Sequence, residues 1–158
     1  MNTAQVLARL RRLIEQTDAS LATSLSDEEL LEHILDAVNE LTIRGVDAIN
    51  VTGVTPPVSA FTVGTDQTVT TPPYGISPAP TVRQGELMAF TAALNILDQE
   101  FRGKVLRGEI GSSWTSGLEQ QSTITAAQLY KTALDDLRDQ LEQRIMLAMA
   151  TFAGRRTQ

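Results

Sequence analysis

The chain has 158 residues, about the size of one domain, with a formal charge of −6, no cysteine and a single histidine, His33. That excludes a disulfide framework, a thiolate nucleophile and a cysteine- or histidine-rich metal site. No run approaches the ~18 consecutive apolar residues of a membrane span, and the opening MNTAQVLARLRRLIEQ alternates apolar with basic residues, so we read a soluble protein made in the cytoplasm.

Val6, Leu7, Leu10, Leu13 and Ile14 fall on one face of a helix over residues 3–16. TDASLATSLS then reads as a polar break. A second helix starts at Ser26, whose hydroxyl and the Glu29 carboxylate have the spacing of a capping box. Asp27, Glu28 and Glu29 suit the positive end of its dipole. Leu30, Leu31, Ile34, Leu35, Val38 and Leu41 form its stripe, and Gly45 ends it. His33, between stripe positions, reads as a rim or surface residue. Residues 26–45 carry six carboxylates against Arg44 alone. An acidic chain with no basic run is poorly suited to gripping nucleic acid, which needs Lys and Arg to displace counterions from phosphates.

Residues 46–82 hold all six prolines, with threonine and valine between them. Proline excludes helix interiors, while Thr and Val favour extended chain. The segment is a long loop, with Val58–Val63 and Gln67–Thr71 able to pair across Gly64-Thr65-Asp66 as a hairpin. It either packs on its own helices or is ordered by a partner.

A third helix spans about Arg83 to Arg107, with Leu87, Phe90, Leu94, Leu97 and Phe101 at helical spacing. Asp98–Arg102 and Glu100–Lys104 are expected i, i+4 pairs. Arg102, Lys104 and Arg107 are either a basic cluster or cations at the negative end of the dipole. The connector GEIGSSWTSGLEQQST contains the only tryptophan, Trp114. A last helix is expected from Thr125, with Gln128 completing a capping box, to Phe152. Its stripe is Leu129/Tyr130, Ala133/Leu134, Leu137, Leu141, Ile145, Ala148 and Phe152. About 28 residues would measure roughly 40 Å, longer than a compact domain of this size, so one end projects. Its close, RIMLAMATFAGRR, is apolar on more than one face. That points either to docking on another chain or to packing on the first helix through Leu7, Leu10 and Ile14.

No catalytic constellation stands out. Gly108-Glu109-Ile110-Gly111 lacks the lysine and length of a phosphate loop. Asp135, Asp136 and Asp139 could hold a metal but fit a solvated helix face beside Lys131 and Arg138. Ser112, Ser113 and Ser116 have no general base placed by sequence. We expect no enzyme, metal or cofactor. The predicted fold is mostly α: one domain over 1–158, a bundle of three principal helices plus a short N-terminal one, with a loop or hairpin insertion at 46–82.

GSSWTSGLEQQSTI, joined to a long C-terminal helix and preceded by GELMAFTAALNILDQEF, resembles the head–tail connector (adaptor) proteins of tailed bacteriophages. SDEELLEHILDAVNEL and the Pro/Thr-rich insertion fit the same order, and the resemblance covers most of residues 26–154. The insertion is long for that family. The resemblance implies a virion protein of the neck, made in the host cytoplasm. It would form a homo-oligomeric ring of about twelve subunits beneath the portal. Such a ring extends the DNA channel, lets DNA pass without specific binding, and presents a platform to a stopper or tail protein, with no membrane involved. Trp114 is then an intersubunit or portal contact, or alternatively packs on its own helices. Residues 145–158 form a docking segment, with Ile145, Met146, Met149, Phe152, Arg155 and Arg156 as the partner-binding candidates. Two alternatives stand beside this reading: a tail-completion or stopper protein of the neck, for which strand is expected, and a helical scaffolding or regulatory module unrelated to phage.

Overall fold

The computed structural model describes residues 1–44, 80–109 and 117–153, with four short strands between 53 and 77; for the strands, 117–124 and 151–153 it describes the backbone alone. Among these residues the chain is mostly helical, as the stripes of period 3.6 predict.

α1 (Thr3–Glu15) opens on a capping box in which Asn2 and Gln5 satisfy each other's backbone N–H groups. It buries Val6, Leu7, Leu10, Leu13 and Ile14, the five residues of the predicted stripe. The supposed polar break contains a further helix, α2 (Ala19–Ser24). Asp18 caps it, its Oδ1 accepting from the Leu21 N–H at 3.0 Å and from the Ser20 hydroxyl at 2.7 Å. Only Ala22 is buried, so α2 leaves no hydrophobic period to detect. α3 (Asp27–Ile43) starts at the predicted Ser26–Glu29 box and buries Leu30, Leu31, Ile34, Ala37, Val38 and Leu41. Gly45, expected to end it, lies outside the described residues.

Within the proline-rich region, β1 (Gly53–Thr55) pairs antiparallel with β4 (Gly75–Ser77), and β2 (Thr62–Val63) with β3 (Val69–Thr70). The rest of the expected hairpin lies outside the described residues.

α4 (Val82–Leu106) is capped by Thr81 and Gln84 and closed by Gly108 at φ 73°, a conformation that favours glycine. There the Gly108 N–H donates to the Val105 carbonyl and the Glu109 N–H to that of Lys104, the Schellman pattern. α5 (Gly117–Ala153) begins eight residues before the expected Thr125 start. Leu118, Glu119, Gln120 and Gln121 are good helix formers, so the helix runs through the Thr125–Gln128 spacing that resembled a cap. Its 37 residues make it about 55 Å long.

α4 is the central helix and packs against α1, α3 and α5. Arg9 of α1 pairs with Glu86 at 2.9 Å near the start of α4, and Asp18 pairs with Lys104 near its end, so α1 runs alongside in the same sense. α3 runs the opposite way and is tied by Asn95 donating to Glu40 at 2.9 Å. α5 is also antiparallel to α4: Tyr130 stacks on Phe101 with centroids 5.4 Å apart, and Arg144 lies over the Phe90 ring at 4.4 Å. The C-terminal helix therefore packs on α4, not on α1 through Leu7, Leu10 and Ile14.

The ion pairs depart from expectation in one place. Asp98–Arg102 forms at 2.7 Å, but Lys104 turns from Glu100 to Asp18, and Glu100 pairs with Arg107 at 2.9 Å. Arg102, Lys104 and Arg107 are thus individually matched by carboxylates and make no shared basic patch.

Candidate partner-binding surfaces

The close of α5 is divided by its helical turn. Ile145, at 4% exposure, and Ala148 join Leu134, Leu137 and Leu141 in the core shared with α4. Met146 at 63% and Met149 at 47% point outward. Ile145, expected to face a partner, is thereby corrected to a core residue: it sits on the one strip of α5 that α4 covers. Leu129, expected in the inward stripe, is exposed beside the half-buried Tyr130. Phe152, Arg155, Arg156 and Trp114 lie outside the described side chains.

Two sets of contacts hold α5 in place. Toward the start of α4, Glu86 lies between Arg9 at 2.9 Å and Arg144 at 3.6 Å, with both guanidiniums over the Phe90 ring. On the other flank, Arg44 pairs with Glu142. Glu142 is one turn before Met146 on the same face, which brings the end of α3, with its exposed Ile43, toward Met146.

At the far end of α4, Lys104 bonds Asp18 and lies 5.4 Å from the Tyr130 ring centroid, joining the α1–α2 corner to α4 and α5. Burial pushes the Asp18 carboxyl up. Hydrogen bonds from Lys104, Ser20 and the Leu21 N–H, with the Lys104 charge, outweigh that and hold it below the usual range. Burial raises the Tyr130 hydroxyl, with the Asp18 and Glu100 charges adding to it. Its oxygen is buried without a hydrogen-bond partner among the described residues.

No group of three metal-ligating side chains is found among the described residues, and none of their helices is long and apolar enough to cross a membrane. Asp135 is paired with Arg138 at 2.9 Å on an exposed face. What this arrangement offers is apolar contact area on a rigid helix, flanked by charge. No family model matches the chain, and comparison with curated proteins and with solved structures yields no match.

Proposed function

We propose that the chain is a structural subunit of the neck of a tailed phage, a head–tail connector that forms a ring beneath the portal and offers a platform to the stopper or tail. In this reading its three principal helices form the adaptor bundle, residues 46–82 are an inserted loop or hairpin contacting neighbours, and Trp114 is an assembly contact. The observation that carries the proposal is α5. It is 37 residues long against 25 for α4, a difference of roughly 18 Å. Met146 and Met149 are left uncovered where a partner would sit. A helix of that length suits a subunit that bridges two bodies. The mostly helical fold favours a connector over a strand-rich tail-completion or stopper protein. The chain acts by assembly and not by catalysis.

The test is to mix the full chain with tailless, portal-containing heads and count bound copies by cryo-electron microscopy. A closed ring at the portal vertex is expected. Heads that bind no copies would refute the proposal. Combined Met146→Ser and Met149→Ser substitutions are expected to leave the subunit folded and weaken attachment.

A further inference from the structure

Val82, in the first turn of α4, is 67% exposed. It stands between two adjoining grooves, one lined by Arg9 and Arg12 of α1, the other by Arg83 and Arg144, with Glu86 bordering both. Among the described residues Glu86 is the only carboxylate lining either groove, and it is already shared by Arg9 and Arg144. Arg9, Arg12 and Arg144 against this one carboxylate leave an excess of positive charge among the described residues, in a chain whose net charge is −6. Arg12 and Arg83 are exposed, and Arg12 has no ion partner among the described residues.

The matching negative surface is on α3. Glu28, Glu32 and Asp36 follow one another at i, i+4 spacing and are all exposed. Like charges so placed oppose their own helix. Glu32 and Asp36 have no cationic partner among the described residues. The two surfaces lie on opposite sides of the subunit. Asn95, which bonds α3, comes nine residues after Glu86, about two and a half turns, so the two side chains leave α4 in opposite directions. Complementary patches on opposite sides cannot meet within one chain, nor can they form a two-fold dimer by pairing like with like. They join copies head to tail, the contact that closes into a ring when the rotation permits.

We infer that the Val82 grooves receive the Glu28–Glu32–Asp36 face of α3 from a second copy of this chain. Val82 supplies the apolar centre of the contact, and the arginines its charged rim. The inference deepens the ring reading given above and rests on it. It uses the flank of α5 that carries Arg144 and leaves Met146 and Met149 to a different partner.

Sedimentation velocity of the full chain tests it. Self-association is expected at about 0.05 M salt and weakens at about 0.5 M as the charges are screened. Arg12→Glu with Arg83→Glu, and separately Glu32→Lys with Asp36→Lys, should each weaken association about 100-fold. Mixing the two variants, or placing all four changes in one chain, should restore it, because the reversed surfaces again attract. A wild-type chain that stays monomeric at low salt overturns the inference. So do folded variants that associate as the wild type does, or a mixture no more associated than either variant alone. Head binding, measured beside these, separates the two ideas. Heads that bind the chain while the reversals change nothing would discard the groove contact and keep the connector. Restored self-association with no head binding would do the reverse.

Discussion

α4 and α5 are both long helices whose apolar residues spread around much of their circumference, and they differ in what covers them. α4 has α1, α3 and α5 around it and buries Gly85, Leu87 to Ala93, Ile96 and Leu97. α5 packs on α4 along one strip and leaves Leu129, Met146 and Met149 exposed. Sequence composition alone makes the two look alike. An apolar residue on α4 is a folding residue, while one on α5 is buried or exposed according to which side of the helix it falls on, and the proposed connector would use the exposed side for assembly.

The contrast breaks most easily at its centre. Phe90→Ala removes a ring that is 1% exposed and carries Arg9 and Arg144, and is expected to cost about 4 kcal/mol in chemical denaturation. Ile145→Ala, on the covered strip of α5, should cost about 3 kcal/mol. If Ile145→Ala were neutral to stability, the core assignment would be wrong and Ile145 would rejoin the docking residues. Deleting everything after Arg144 would remove Ile145 and Ala148 with the exposed methionines, so point substitutions separate the roles more cleanly.

A smaller effect is expected at the corner where α1 and α2 meet α4. Asp18→Asn should cost about 2 kcal/mol at neutral pH by leaving the largely buried Lys104 without its carboxylate. Since the folded-state pKa of Asp18 is lowered, the wild-type advantage is fully present above the unfolded value near ~4 and is lost as pH falls through the folded value. Unfolding midpoints of the two proteins should therefore converge only below about pH 4. The smallest effect on folding is on the outer face. Met146→Ser should change stability by less than about 0.5 kcal/mol and yet reduce attachment to portal-containing heads. A loss of stability as large as that of Ile145→Ala would erase the distinction between the two sides of α5.

Much of the fold was legible because it is written in short-range terms. The Ser26–Glu29 box and the stripes of α1, α3 and α4 need only neighbours three or four positions apart. α2 was missed because six residues with one buried alanine carry no period. The start of α5 was misplaced because a Thr125–Gln128 spacing is necessary for a capping box and not sufficient: the residues before it also prefer helix. Lys104 chose Asp18 over Glu100 because the corner of α1 and α2 delivers a carboxylate from 86 positions away. The Val82 grooves were invisible for the same reason. Arg9, Arg12, Arg83 and Arg144 form no basic run in the chain, and only the packing of three helices collects them.

The strip that attaches α5 to α4, with the Arg44–Glu142 pair on its flank, also sets how the subunit opens. Breaking the α4–α5 contact exposes Leu134, Leu137, Leu141, Ile145 and Ala148 and their counterparts on α4, while the contacts among α1, α3 and α4 remain intact. α5 is therefore expected to open at a free energy below that of global unfolding, and its amides should exchange with solvent before those of α4. In the proposed connector, the longest helix could be re-aimed at the cost of its contacts with α4 and the Arg44–Glu142 pair, with α1, α3 and α4 left packed as the base.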